Sequence, residues 1–167
     1  MIYWRKGLLM RTVVFFLLVF GSIGAYASTA KEELQCLAMN VYHEARGEPV
    51  EGQVAVALVT MNRVAAKNYP NTVCKVVWQR RQFSWTHDGR SDRPNDKKSW
   101  EQARKIANFV YNKYTSLKSM SAGAIDITKG ALHYYAPKHA DPYWADYKEI
   151  TREIGGHVFL RAKKHKS

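Results

Sequence analysis

Acidic side chains are scarce in this 167-residue chain: 14 Asp and Glu stand against 26 Lys and Arg, for a formal net charge of +12. That imbalance draws the protein toward polyanions such as nucleic acid, anionic lipid or the charged polymers of a cell envelope, and it says nothing of the fold. Cysteine is scarcer still. Two are too few for a zinc site unless histidines gather beside them, and the six histidines are dispersed. His43-Glu44 opens like the H-E-x-x-H motif of zinc proteases, but Gly47 stands where the second histidine must be, so that chemistry is excluded. There is no internal repeat and no low-complexity linker, and beyond the first segment no apolar run is long enough to span a bilayer. What remains, 46% hydrophobic and 13% aromatic, suits one packed domain rather than a disordered chain.

The first segment has a grammar of its own. Arg5, Lys6 and Arg11 precede the apolar run Thr12 to Phe20, and Ala25-Tyr26-Ala27 follows as an A-x-A site. Basic region, short apolar region and small-residue site make residues 1–27 a secretory signal peptide, with cleavage after Ala27 and a body over residues 28–167. The competing reading is an uncleaved membrane anchor, since Thr12 to Ala27 could just cross a thin or deformed bilayer; either way the segment makes at least transient membrane contact. Removing its three cations leaves a body of +9. In an oxidising compartment Cys36 and Cys74 are candidates for a disulfide; the alternative is two buried thiols.

Along the body, periodicity predicts a first helix from about Thr29 to Ala45, stopped at Gly47, and a second opened by Pro49 with Val54, Ala57, Leu58, Met61 and Ala65 on one side. Thr72 caps a short third helix through Trp78, and Phe83 to Thr86 reads as a brief extended segment. Residues 87–98 form a polar loop. Ser99-Trp100-Glu101-Gln102 reads as a capping box opening an amphipathic helix that carries Trp100, Ala103, Ala107, Val110, Tyr111 and Tyr114. Later the pattern turns β-prone at residues 131–136, ended by Pro137, and residues 149–154 and 157–161 flank Gly155-Gly156 as a hairpin. The expected class is α+β: a helix-rich, two-lobed body with a small antiparallel sheet near its C-terminus and a cleft between.

Glu44 interrupts an otherwise apolar stripe. Leu34, Leu37, Ala38, Val41 and Ala45 recur at helical spacing, and Glu44, three residues after Val41 and seven after Leu37, points to nearly the same side. A carboxyl at that edge is partly desolvated, so its pKa rises and it can hold a proton at neutral pH, as a general acid for glycosidic cleavage must. The plainer alternative is a helix-end glutamate facing water or pairing with Arg46. A second carboxylate, as base or nucleophile, has no distinguished candidate among Glu48, Glu51, Asp88, Asp126 and Asp141; Glu48 and Glu51 suit the N-terminus of the second helix.

The same stretch, Val41-Tyr42-His43-Glu44-Ala45-Arg46-Gly47-Glu48-Pro49 with Glu51-Gly52-Gln53-Val54-Ala55-Val56-Ala57 and Asn62-Arg63-Val64, resembles the SleB-type cell wall hydrolases, the spore-cortex-lytic enzymes and their bacterial and phage relatives. Further matches follow in order at residues 69–73, Gln82-Phe83-Ser84, residues 130–135, Pro137, Trp144 and residues 154–159, so the likeness extends over about residues 32–161. It implies a lysozyme-like fold, Glu44 as the catalytic glutamate, and a lytic transglycosylase reaction on peptidoglycan glycan strands without metal or cofactor. The rival expectations are a water-using muramidase and a non-catalytic wall-binding protein of the same fold.

Sugars are held by aromatic faces and by amide and hydroxyl groups. Gln82, Ser84, Tyr135 and Trp144 are therefore the expected substrate contacts, against the alternative that the aromatics are simply core. No part of the sequence is left over for a separate wall-binding domain, so the basic surface is expected to meet anionic envelope polymers. The loop at 87–98 and the tail at 161–166 are basic but carry no nucleic-acid motif, and read as solvated surface. The expectation is an exported monomer, periplasmic or wall-associated, with a membrane-anchored form as the alternative.

Overall fold

The computed structural model describes residues 29–116 and 126–163; residues 1–27, expected to be a signal peptide, lie outside them. Helix α1 spans Ala30–Ala45, α2 Val50–Ala65, α3 Val73–Val77 and α4 Lys97–Ser116, with a 3-10 turn at Ser84–His87. Strand β1 (His133–Tyr135), a 3-10 turn at Tyr143–Tyr147, β2 (Lys148–Ile154) and β3 (His157–Ala162) follow.

Helix α1 starts at a reciprocal cap. Glu32 N–H donates to Thr29 Oγ1 at 3.3 Å, and Thr29 N–H donates to Glu32 Oε2 at 2.7 Å. One residue on, buried Glu33 accepts from the backbone N–H groups of Val73 (2.5 Å) and Cys74 (3.4 Å), so it caps α3 from across the fold. Cys36 and Cys74 are joined, with Cα atoms 5.2 Å apart, and this covalent link holds α3 against α1.

Helix α2 is the partition of the molecule. Ala57, Leu58 and Met61 face a large core shared with Leu37 and Val41 of α1, Val73 and Val77 of α3, and Ala107 and Val110 of α4. Ala55, Val56 and Val59 face a second, smaller core with Ala131, Ile154 and Phe159. This is why its sequence shows apolar residues nearly all round. The single face expected from spacing misses the second core, and Ala65, placed on that face, is exposed.

Two local expectations are corrected. Helix α4 begins at Lys97 and not at Ser99: Asp96 accepts from Ser99 N–H (3.1 Å) and from Ser99 Oγ–H (2.7 Å), taking the capping role that the Ser99 box suggested. The segment after Phe83 curls into a 3-10 turn instead of running extended, because Thr86 Oγ1 donates back to Phe83 O at 2.8 Å and buried Trp85 stacks on His43 at 4.4 Å.

The sheet is antiparallel in the order β1-β3-β2. Tyr134 pairs with Phe159, and Ile154 with His157 across the Gly155-Gly156 turn. The polar loop before α4 is tied to α1, since Tyr42 Oη accepts from the N–H groups of Asn95 and Asp96 at 3.2 Å each. The result is a helical lobe and a small sheet lobe meeting along α2, with the C-terminal turn of α1 at the seam.

Candidate active site

Glu44 lies at that seam, on the last turn of α1. Its carboxylate does not reach for Arg46, whose guanidinium sits over the Tyr42 ring at 5.0 Å. It accepts a 3.0 Å hydrogen bond from Tyr134 Oη–H, presented by β1 from the opposite lobe. Burial pushes the Glu44 carboxyl above the ordinary carboxylate range; the Tyr134 hydrogen bond and the Arg63 charge oppose that shift without overcoming it. Loss of solvent around the half-buried Tyr134 hydroxyl, with the Glu44 charge beside it, holds its pKa well above the usual value, so it stays a protonated donor.

Arg63 is the second built feature. Only 3% exposed, it projects from α2, donates from Nε to Leu132 O at 2.8 Å, and lies over the rings of Tyr69 (5.6 Å) and Phe83 (5.4 Å). The Gln82 amide orientation that satisfies both partners has Oε1 accepting from Arg63 Nη1 and Nη2 at 3.0 and 3.2 Å. Gln82 itself lines the cleft. A buried arginine is tolerated only when its donors are satisfied, and here they fix the wall on which Gln82 stands.

These groups line a cleft of about 410 Å³, completed by Arg81, Phe83, His133, Trp144 and Lys148. The chain's 14 acids all fall among the described residues, and Glu44 alone of them lines this cleft. Asp126 is committed elsewhere, accepting from Asn62 Nδ2 (2.9 Å), Thr128 N–H (2.9 Å) and Gly130 N–H (2.6 Å). Asp88 accepts from Arg90 N–H at 2.9 Å on the surface, and Glu51 and Asp141 are exposed. Glu48 does not cap α2; its carboxylate accepts from Gly156 N–H at 2.6 Å. A larger groove of about 640 Å³ between α1 and α4 has Glu101 as its one carboxyl, and that residue is exposed. Among the described residues no group of three or more His, Cys, Asp or Glu is placed to hold a metal ion, and no helix is long and apolar enough to cross a membrane.

Of the residues expected to contact substrate, Gln82 and Trp144 line the cleft with Glu44. Ser84 does not: it is exposed on the 3-10 turn, which directs it outward. Tyr135 does not either. It shares a strand face with His133 rather than with Tyr134, and its ring meets Trp144 edge to face at 6.0 Å beside the cleft. Its neighbour Tyr134 holds the place expected of it. Arg63 went unnoticed as a site residue, although an arginine in the mostly apolar stretch of α2 is a legible sign of a buried, partnered charge.

The sequence profile described as Cell Wall Hydrolase matches residues 47–160. The chain belongs to this family of SleB-type cell wall hydrolases. A spore cortex-lytic enzyme of Bacillus cereus is 35% identical over 133 residues, covering 79% of this chain and 45% of that protein. That of Bacillus subtilis is 33% identical over 131 residues, covering 78% and 38%. The chain thus spans less than half the length of these curated relatives. The crystal structure of the catalytic domain of the Bacillus cereus SleB protein aligns with a TM-score of 0.60 at 30% identity, over 80% of this chain and 93% of that one. The catalytic domain of the germination-specific lytic transglycosylase SleB from Bacillus anthracis aligns equally well, with a TM-score of 0.60 at 30% identity, over 81% and 98%. The fold is therefore the α+β, lysozyme-like fold of SleB-type domains. The profile begins three residues after Glu44, so the case for that carboxyl rests on its own geometry.

Proposed function

We propose that this SleB-type chain is an exported lytic transglycosylase that cuts peptidoglycan between muramyl and glucosaminyl residues, with Glu44 as acid and then base. The observation that carries the reading is the solitary, desolvated carboxyl in the cleft. Protonated Glu44 gives its proton to the glycosidic oxygen as the bond to the muramyl C1 breaks. The carboxylate so formed takes the proton of that residue's own C6 hydroxyl as its oxygen bonds to C1. A 1,6-anhydro sugar results, Glu44 is again protonated, and no water is consumed. An intramolecular nucleophile of high effective molarity needs no second carboxylate to activate it. A water-using muramidase of the usual kind requires one. Product mass separates the two: the anhydro end is lighter by one water, and a hydrated end from purified sacculi would sink the transglycosylase reading.

Tyr134 keeps the Glu44 carboxyl oriented, Gln82 offers its amide N–H to a sugar hydroxyl, and the half-buried Trp144 ring offers an apolar face. This acid environment argues against a merely wall-binding role. The protein acts as a monomer, and its surplus of cations carries it onto anionic envelope polymers. Retention of a Glu44→Gln protein on sacculi should accordingly fall as salt rises, since exposed charges are screened over about 3 Å at 1 M. Export follows from residues 1–27: intact mass of the envelope-located protein should place its first residue at Ser28, whereas a retained Met1 would mean an anchor.

A further inference from the structure

We propose that Arg81 and Lys148 form a carboxylate-binding subsite in the cleft, selecting glycan strands whose muramyl residue bears a negative charge on its lactyl arm; this rests on the peptidoglycan reading above. The chemistry is the same whether that charge is the free lactyl carboxylate of a peptide-free residue or a carboxylate of an attached stem peptide.

Three cations line a cleft that holds one carboxyl. Arg63 is engaged by Leu132 O, by Gln82 and by two aromatic rings. Arg81, from the connection after α3, and Lys148, the first residue of β2, have no such commitment; among the described residues neither forms a salt bridge. Arg81 also holds φ at 62°, a left-handed conformation that is unfavourable for a side-chain-bearing residue and free for glycine. Lys129, which shares that conformation at φ 55°, has its carbonyl accepting from Arg161 Nη1 at 3.3 Å. Arg81 owes that conformation to the turn it sits in, which Gln82 N–H closes by donating to Gln79 O at 3.0 Å, so glycine is tolerated there and the turn holds the residue at the cleft.

His133 adds no charge of its own. Burial first, then the Lys148 and Arg63 cations, push its pKa down to about 4, so it is neutral at physiological pH. Burial is the larger cause of that depression, and the two cations add to it. An incoming anion relieves that field, and the sugars of the strand are otherwise uncharged, so the lactyl arm is where such an anion lies.

The test uses four glycans in two pairs: peptide-free strands with free lactyl carboxylates and the same strands with those carboxyls converted to neutral amides, and strands with intact stems before and after amidation. The wild-type protein should show kcat/KM about tenfold or more higher on anionic than on amidated strands. In an Arg81→Gly, Lys148→Gln variant that ratio should collapse toward one, mainly through KM; glycine suits the backbone at position 81, so folding is preserved. Which pair of strands shows the larger ratio names the source of the carboxylate. Equal cleavage of anionic and amidated strands by the wild type, or an undiminished ratio in the variant, overturns the subsite. Binding of the same strands to Glu44→Gln protein is measured alongside: preference for anionic strands without any cleavage by wild type would retain the subsite and discard the transglycosylase reading.

Discussion

Glu44 and Glu48 carry the same side chain one helical turn apart, and their surroundings send them in opposite directions. Glu44 has lost water and received a single hydroxyl donor, Tyr134, with the Arg63 charge acting on it; burial dominates, and the carboxyl holds its proton more tightly than usual. Glu48 has a backbone N–H, that of Gly156, at 2.6 Å, and the buried His157 ring 3.9 Å away. It anchors the β2-β3 turn to the start of α2. Burial lowers the His157 pKa, so the 3.9 Å contact is an ion pair only at acid pH. One carboxyl is thus kept poor in donors and inclined to hold its proton, the other is fastened by the backbone.

The sharpest way to break this contrast is to neutralise each carboxyl in turn. Glu44→Gln should reduce sacculus cleavage by about a hundredfold or more, the usual weight of a general acid. Glu48→Gln should leave cleavage within a few-fold once folding is matched, while lowering the melting temperature. Clearing assays on both variants decide it; comparable losses of activity would show that the two carboxyls act together.

The second prediction concerns stability on the Glu48 side. A Cβ on Gly155 would clash with Glu48 Oε2, and the residue's φ of +59° already disfavours a side chain. Gly155→Ala should cost about 1–3 kcal/mol. Glu48→Ala should cost about 1–3 kcal/mol by leaving the Gly156 N–H without its acceptor. Together they should cost less than their sum, because removing the carboxylate frees the space the new methyl needs. Denaturant melts of the two single variants and the double variant provide the cycle, and strict additivity would mean that the turn and Glu48 are not coupled.

A third, smaller effect separates the carboxyls by pH. The folded-state pKa of Glu44 is raised, so the stability it contributes is fully present below the unfolded value of about 4.3 and is lost as pH rises through the folded value. Glu44→Gln removes that loss. Melting temperatures of wild type and variant should coincide in acid and diverge toward neutral pH, with the variant the more stable; a variant less stable at neutral pH would mean that the carboxylate is well solvated after all.

How much of this was legible beforehand depends on the kind of order involved. The position of Glu44 on α1 follows from a 3.6-residue period sustained over three turns, a signal that tertiary context rarely overturns. The hairpin follows from two glycines between β-prone runs. Which of Tyr134 and Tyr135 faces Glu44 does not follow, because a strand of three residues has no internal pattern to fix its faces and a one-residue slip exchanges them. Pairing with Phe159 of β3 settles it, and that contact is 25 residues away in sequence. Ser84 misleads for a related reason: its orientation is set by the Thr86 hydroxyl turning the chain back on Phe83. The Asp96 cap of α4 was present in the sequence, three residues before the serine that resembled one.

The smallest expected effect is also the most direct probe of what tunes Glu44. The Tyr134 hydroxyl bonds to the carboxylate and favours its ionised form, opposing the burial that favours the acid. Tyr134→Phe removes the opposition while keeping the ring against Phe159 and His157. The Glu44 pKa should then rise further. Because the first step of the proposed reaction needs the protonated acid, cleavage declines as pH climbs through that pKa, and the alkaline limb of kcat/KM should move to higher pH in the variant. Rate at the optimum should fall modestly, since orientation of the carboxyl is loosened. A structural role for the hydroxyl alone would lower the rate at every pH and leave the limb in place; a limb displaced toward lower pH would mean that Tyr134 favours the protonated acid, contrary to the balance drawn from burial and hydrogen bonding.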